Sequence, residues 1–295
     1  MALNLHLLRL FAAVVQEGGF SAAAATLHVS QPAISKGVRQ FEMQIGMALL
    51  ERARGGVRPT EAGKRLLAQV HPLFAAERAA EQELDALRGL TRGSLALGAS
   101  TTIATYLLPS FVGAFHRTYP AIEIRLTSAN TRTVAQLLIA RELDVGLVEG
   151  PVEPAGLIAR PWRREEMVLI ASPEHPLVRL EARKLKSALQ REIFLVREPG
   201  SGTREVVAAA LAKHHIVPRE AIEIGSTEAI KQMVASGFGI AIVSAIAAAD
   251  QIALGRIVVL RPRGFNVHRT LQILTLPSRP PSIAAVAFNR LLEAS

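Results

Sequence analysis

The sequence predicts an α/β protein in three successive parts: an N-terminal winged helix-turn-helix, a long linker helix, and a two-lobed α/β domain. Three observations predict it. Gly18–Gly46 holds two short helical patterns separated by a Ser-capped turn. A seven-residue apolar repeat follows, and from Ser94 onward short β-branched runs alternate with helical periods. The expected boundaries are 1–60, 61–88, a hinge at 89–93 around Thr91-Arg92-Gly93, and 94–295. The first lobe is placed at about 94–162 and 266–295, the second at about 163–265.

Leu7, Leu10, Phe11 and Val14 recur at helical spacing and give a first helix that ends near Gly18-Gly19. Phe20 is expected to plug the small core. Ser21 is expected to cap a second helix, Ala22 to Leu27. His28-Val29 makes the turn with Val29 buried. Ser30 caps a third helix, with Pro32 in its first turn, where the missing N–H has no intrahelical partner to lose. On this helix Ile34, Val38, Phe41 and Ile45 share one face, and Gln31, Ser35, Lys36 and Arg39 the other. Gln reads base edges, Ser bonds phosphate or base, and Lys and Arg supply charge. An ordinary solvated face would have the same composition; the helix-turn-helix spacing is what favours DNA. Gly37 lies inside this helix, where it costs about 1 kcal/mol relative to alanine.

Gly55-Gly56 between short extended pieces reads as a hairpin. Arg52, Arg54 and Arg58 on so short a wing suit phosphates or a minor groove. Between residues 36 and 65, seven basic residues stand against Glu42, Glu51 and Glu61. Residues 1–92 as a whole hold 11 basic against 8 acidic residues, so within this domain the positive charge is focused here rather than spread; the chain's formal net charge is +9. From Thr60 a long helix runs to about Arg88. Leu66, Leu73, Ala80 and Leu87 repeat every seven residues with Val70 and Leu84 between them, the pattern of a short coiled coil. Pro72 is expected to kink it.

SAAAATLHVSQPAISKGVRQFE followed by ERARGGVRPTEAGKRLL closely resembles the winged helix-turn-helix of LysR-type transcriptional regulators. The resemblance implies that Gln31, Pro32, Ser35 and Lys36 face the major groove of double-stranded promoter DNA and that Arg52 and Arg54 make wing contacts; the residues' own placement adds Ser30, Arg39 and Arg58 to the DNA-binding set. The resemblance also implies a homodimer through 61–88, a homotetramer, and contact with RNA polymerase. Ala22 and Ala25 depart from the family, which often has polar or basic residues there.

In the remainder, strands are expected at Ser94–Ala99, Ile122–Ser128, Val145–Val148, Met167–Ala171, Ile193–Val196, Ile222–Ile224, Ile240–Val243 and Leu271–Leu276. Helices are expected at Thr102–Tyr119, Arg132–Arg141, Thr203–His215, Thr227–Ala235 and Ser282–Leu292. A crossover near Pro161-Trp162 would pass between lobes. The family resemblance implies a cleft like that of periplasmic solute-binding proteins. Two loops each end a strand and begin a helix: Ser100-Thr101-Thr102, and Ser201-Gly202-Thr203-Arg204. Hydroxyls, backbone N–H groups, helix dipoles and the Arg204 charge suit a small anionic effector clamped between lobes. Each loop could equally be a helix cap without a ligand. GASTTIATYLLP and REPGSGTR further resemble a LysR-type subgroup that includes regulators of carbon dioxide fixation and sulfur assimilation, whose effectors tend to be anionic metabolites.

Other classes fit poorly. No cysteine is present, which excludes disulfides, thiolate metal sites and iron–sulfur clusters. The Ser/Gly-rich loop lacks the Lys-Ser/Thr of a phosphate-binding P-loop. No Gly-x-Ser-x-Gly elbow occurs, and His214-His215 are adjacent and do not share a helix face, so neither an enzyme nor a cofactor is expected. Glu149 and Glu198 could flank the cleft, but a surface or cap role is the expectation for both. The N-terminus lacks a secretory pattern and the longest apolar run, Gly239–Ala249, is too short to span a bilayer, so a cytoplasmic protein without a membrane partner is expected. The alternative reading is a cytoplasmic solute-binding protein whose N-terminal helices only oligomerise it.

Overall fold

The computed structural model describes residues 3–53, 56–87, 93–152, 156–277 and 281–294. The chain divides into two compact units, Met1–Ala79 and Ala80–Ser295.

The N-terminal unit is built on α1 (Leu5–Gln16), α2 (Phe20–Thr26) and α3 (Gln31–Ile45), followed by β1 (Leu50–Ala53), β2 (Gly56–Pro59) and α4 (Glu61–Leu87). Leu8, Phe11, Val14, Ile34, Val38 and Phe41 form its core, with Phe20 packed at the margin. Gly37 is buried because α1 passes close by: a Cβ there would lie 2.3 Å from Leu10 Cδ1. The helix-propensity cost at Gly37 thus accompanies a close helix–helix approach. Two local expectations fail. Helix α2 starts one residue before Ser21, is capped by Gly19, and receives no side-chain cap. Val29 is 45% exposed, because the turn is made by His28 in the left-handed region (φ 54°), which directs the following residue outward.

Strands β1 and β2 pair antiparallel, Glu51 opposite Arg58. The Glu42 carboxylate, at the end of α3, accepts from the Leu49 and Leu50 N–H groups at 2.7 and 3.1 Å and pins the hairpin to the helix. Thr60 caps α4 by accepting from Gly63 N–H at 3.1 Å. Pro72 lies inside α4, which continues past it. The heptad face is divided: Val70 is buried in the core of its own unit, whereas Leu73 and Ala80 are exposed.

The C-terminal unit is organised by one seven-stranded sheet. It contains β3 (Gly93–Ser100), β4 (Ile122–Ala129), β5 (Val145–Glu149), β6 (Ile158–Ala171), β9 (Ala241–Ser244), β10 (Val258–Leu260) and β11 (Val267–Thr275). Their order is β10-β6-β11-β5-β3-β4, with β9 also pairing β6. A separate parallel pair joins β7 (Ile193–Val196) to β8 (Glu220–Glu223). Helices α5 (Leu108–Thr118), α6 (Thr131–Ile139) and α11 (Ile283–Glu293) pack with the first lobe. The second lobe has α7 (Ala182–Ala188), α8 (Gly202–Lys213), α9 (Thr227–Ala235) and α10 (Ala245–Ala253). One core gathers Leu95, Leu97, Phe115, Leu147, Ile273 and Phe288; another gathers Leu169, Phe194, Leu211, Ile242 and Val267.

One seven-stranded sheet runs through both lobes. The crossover expected near Pro161-Trp162 is made within the 14-residue β6, which pairs antiparallel with β11 from Ile158↔Thr275 to Met167↔Val267. The register shifts there, with Arg163 opposite Leu271 and Pro161 opposite Gln272, so Trp162 is a bulge residue. Its indole N–H donates to Leu292 O at 3.0 Å. Gly93 begins β3; the rest of the expected hinge, 89–92, lies outside the described residues. The helix expected from Thr102 opens with a π-helical stretch, Ile103–Leu107, before α5.

Candidate functional site

In the N-terminal unit, the extended backbone of Ser30 starts α3, and its hydroxyl accepts from Ala33 N–H at 3.4 Å. This sets the helix phase. With Ile34, Val38 and Phe41 inward, Gln31, Pro32, Lys36 and Arg39 are exposed and Ser35 is half-buried. Lys36 and Arg39 have no ion-pair partner among the described residues, so their charges face solvent unneutralised. Arg58 is exposed on β2. Arg52 lies in β1, though its side chain is not among those described, and Arg54 lies outside the described residues. The face combines hydrogen-bonding groups on a helix with positive charge on the helix and the neighbouring hairpin, the composition that suits a duplex groove and its phosphates.

In the C-terminal unit the two expected loops do meet, through the protein's own carboxylate. Glu149, at the end of β5, is 1% exposed. It accepts hydrogen bonds from the Ser100 hydroxyl on one side and the Thr203 hydroxyl (2.8 Å) on the other. Arg269 stands beside it at 3.3 Å, donates to Thr203 Oγ1 at 2.7 Å, and pairs with the equally buried Glu165 at 2.5 Å. Ser244 donates to Glu165. Glu149 is thus an interior group, not the surface or cap residue expected. Nearby, the Thr131 hydroxyl donates to Glu149 O (3.1 Å) and accepts from Gly202 N–H (3.2 Å). A Cβ on Gly202 would lie 1.7 Å from Glu149 O, so only glycine permits this approach.

These contacts change what each expected residue can do. The Ser100 hydroxyl and Gly202 N–H are already engaged. Ser201 is buried and starts α8, with no side-chain cap bond. The Arg204 guanidinium is turned to Glu223 and the Arg197 carbonyl, both at 2.8 Å. A buried cation that bonds both lobes is Arg197, which sequence reasoning missed. Its side chain is 3% exposed. Its Nη1 donates to Thr227 Oγ1 (3.0 Å), and its Nη2 donates across the lobes to Thr101 Oγ1 (2.9 Å). Its Nε and Nη2 donate to Glu198 at 2.8 and 3.0 Å. Burial opposes the charge on Glu198, but hydrogen bonds from Arg197 and Asn130, with the Arg197 charge, hold its carboxyl below the ordinary carboxylate value. A signal for Arg197 existed: it ends a strand one loop before a helix N-terminus in an α/β sheet. Lys231, on α9, makes a second link, donating to Tyr106 Oη at 2.7 Å and to Ala247 O at 2.6 Å.

The space between the lobes has two parts. An open groove of about 480 Å³ is lined by Arg132, Gln136, Val152, Gly200 and Glu205 among others. A cavity of only about 10 Å³ is lined by Thr102, Arg197, Thr203, Arg204, Thr227 and Ser244 among others. The second holds the converging buried polar groups but has room for about one water.

A winged helix-turn-helix unit joined in one chain to a two-lobed α/β unit defines a DNA-binding regulator with an effector-binding domain. Residues 5–64 match the family "Bacterial regulatory helix-turn-helix protein, lysR family", and residues 88–295 match "LysR substrate binding domain". The chain belongs to the LysR family of transcriptional regulators. It is 34% identical over 284 residues to the HTH-type transcriptional regulator CfxR of Cupriavidus necator, covering 96% of this chain and 89% of that one. It is 32% identical over 289 residues to the RuBisCO operon transcriptional regulator of Allochromatium vinosum, covering 98% and 95%. Among solved structures, the regulatory domain of Synechocystis CcmR in complex with 2-PG superposes with a TM-score of 0.63 at 32% identity, covering 69% of this chain and 97% of that one. The resemblance to regulators of carbon dioxide fixation read from the sequence is borne out, and the protein is a transcription regulator rather than an enzyme. No helix among the described residues is long and apolar enough to cross a membrane.

Proposed function

We propose that this regulator responds to a small anionic metabolite held between its lobes around Arg197, with Thr101, Thr102, Thr203 and Thr227 as hydroxyl partners. The single observation that supports this reading is Arg197 itself. A buried guanidinium that bonds hydroxyls of both lobes gives an anion one charge and two surfaces to hold together. Ser100 and Gly202 act behind this layer by fixing the lobe contact, the buried Ser201 opens α8 beside them, and Arg204 contributes from the cavity wall. CcmR, at 32% identity, was solved with 2-PG, which makes 2-phosphoglycolate the first anion to try.

On the DNA side the proposal assigns base and phosphate contacts to Ser30, Gln31, Pro32, Ser35, Lys36 and Arg39, with Arg52, Arg54 and Arg58 on the wing. The division into 1–60, 61–88, 89–93 and 94–295, a dimer through 61–88 that doubles to a tetramer, contact with RNA polymerase and a cytoplasmic location belong to the same reading. A dimer presents its two reading helices to half-sites about one helical turn apart, roughly 34–36 Å, or a multiple of it.

The test is a salt titration of binding to a promoter fragment beside an unrelated fragment, with and without 2-phosphoglycolate. Wild type should prefer the promoter and respond to the anion. Lys36→Ala should weaken binding to both fragments and lower the slope of log K against log salt by about 0.9 per protomer. Arg197→Gln should keep DNA binding and lose the response. Equal affinity for both fragments would overturn the DNA assignment, and an undiminished response in Arg197→Gln would overturn the anion site.

A further inference from the structure

Each cation around the small interlobe cavity already holds a carboxylate of the protein. Arg197 pairs with Glu198, Arg204 with Glu223, Lys231 with Glu228, and Arg269 with both Glu149 and Glu165. Arg132 lies in the open groove, outside this cavity; among the described residues an anion entering the cavity itself meets no free positive charge, so for it to reach a guanidinium fork there an internal carboxylate must withdraw. Which one can do so is decided by burial and by the shape of the bond. Glu149 and Glu165 have side chains 2% exposed and are fixed by hydroxyl donors, so either one displaced would remain a charge inside the protein. Glu228 is one of three oxygen partners of Lys231, and its departure exposes no two-pronged site. The Arg204–Glu223 pair is solvated on both sides and weak as a consequence.

Glu198 differs in each respect. It holds the Nε and Nη2 edge of Arg197 through both carboxylate oxygens, the geometry with which a guanidinium takes any carboxylate or phosphate. Its side chain is 22% exposed, so it has water to move into, and it lies on the loop before Gly200. It also accepts from Asn130 Nδ2 in the other lobe at 3.4 Å, while Asn130 caps α6 by accepting from Thr133 N–H at 3.0 Å. Glu198 is thus both the occupant of the anion's seat and a link between lobes.

We propose that Glu198 is a built-in surrogate for the effector: the ligand's anionic group replaces the Glu198 carboxylate on the Arg197 fork, and Glu198 swings to solvent, releasing Asn130. This rests on the anion site proposed above and adds how that site is regulated. The ligand class follows from the exchange: a molecule must present two oxygens of a carboxylate or phosphate to one guanidinium edge, and a neutral molecule cannot displace Glu198. The same exchange converts occupancy into a change between lobes, because the departing group breaks the Asn130 contact while Arg197 keeps Thr101 and Thr227.

The test is calorimetric titration of the full chain with 2-phosphoglycolate, inorganic phosphate and sulfate into wild type, Glu198→Gln, Arg197→Gln and Glu223→Gln, with thermal midpoints confirming that each variant folds. Glu198→Gln keeps the size of the side chain and removes the competing charge. It should bind the preferred anion about tenfold more tightly, the factor that 1.4 kcal/mol represents. Arg197→Gln should lose binding, and Glu223→Gln should match wild type. Unchanged or weaker binding by Glu198→Gln, with wild type still binding, overturns the exchange and leaves the anion site standing. Tighter binding by Glu223→Gln instead moves the exchange to Arg204 and overturns it at Glu198. Failure of wild type and Glu198→Gln to bind all three anions at millimolar concentration overturns the exchange and the anion site together.

Discussion

At Glu198 a single carboxyl is more acidic in the folded protein than its ordinary value of 4.5: burial opposes its charge most strongly, but the Arg197 hydrogen bonds, a backbone hydrogen bond, the Arg197 charge and Asn130 together outweigh it. A depressed folded value means that the folded state releases this proton more readily than the unfolded chain. The resulting stabilisation is complete above the ordinary value and is lost as pH falls through the folded one. Glu198→Gln should therefore show a shallower loss of unfolding free energy than wild type as pH is lowered from about 5 to 3. Urea melts at a series of pH values check this, and parallel curves would contradict it. Residues differ in how visible such roles are from sequence. Gln31, Lys36 and Arg39 were legible because helical phase is set by Ile34, Val38 and Phe41, and what is not inward must be outward. Arg204 looked like the cleft cation because it opens a helix, but Glu223 holds it, and a partner 19 residues away leaves no local trace. Arg197 and Glu149 draw their roles from partners in the other lobe, which spacing alone does not reveal.

Among elements, the start of α4 shows how closely backbone segments can be bound together. A Cβ on Gly63 would lie 2.2 Å from Leu49 O and 3.2 Å from Leu49 C, which are backbone atoms that cannot rotate away. Gly63→Ala should push the helix from the strand at a cost of about 1–3 kcal/mol, despite the better helix propensity of alanine. Hydrogen exchange should show lost protection in residues 5–70 and unchanged protection in the C-terminal unit. Full retention in the N-terminal unit would remove this packing argument. Elements with a clear period were legible: α1, α3, α6 and α9 show apolar residues three and four apart. Helix α10 was not, because AIAAADQIA is apolar almost all round and continues the run that begins in β9. Strand β10 has three residues, too few to show alternation. The π-helical stretch before α5 adds a residue to the turn that places Tyr106 against Lys231, and its sequence looks like ordinary helix.

For the whole molecule, the split heptad face of α4 bears on assembly. Val70 serves the core of its own unit, so an interface through this helix must use the exposed positions, Leu73 and Ala80 among those described. Burying a leucine against a partner contributes about 1.5–3 kcal/mol. Leu73→Glu should raise the dimer dissociation constant about tenfold or more, seen by sedimentation velocity, with a parallel loss of affinity for a two-half-site fragment but not for a single half-site. An unchanged sedimentation profile would place the interface elsewhere. The broad architecture was legible because strand–helix alternation leaves few arrangements, and so was a crossing near Pro161-Trp162; that the crossing is one strand paired along its length with β11 was not, because Pro161 normally interrupts a strand and here sits at a bulge. That join has a mechanical consequence. Two bodies connected by flexible straps can gape like jaws, but these are leaves of one spring: β6 and β11 run as a nine-pair ladder from one lobe into the other. Wide gaping would tear that ladder, whereas a few degrees of added twist, pivoting at the Trp162 bulge, would leave it whole.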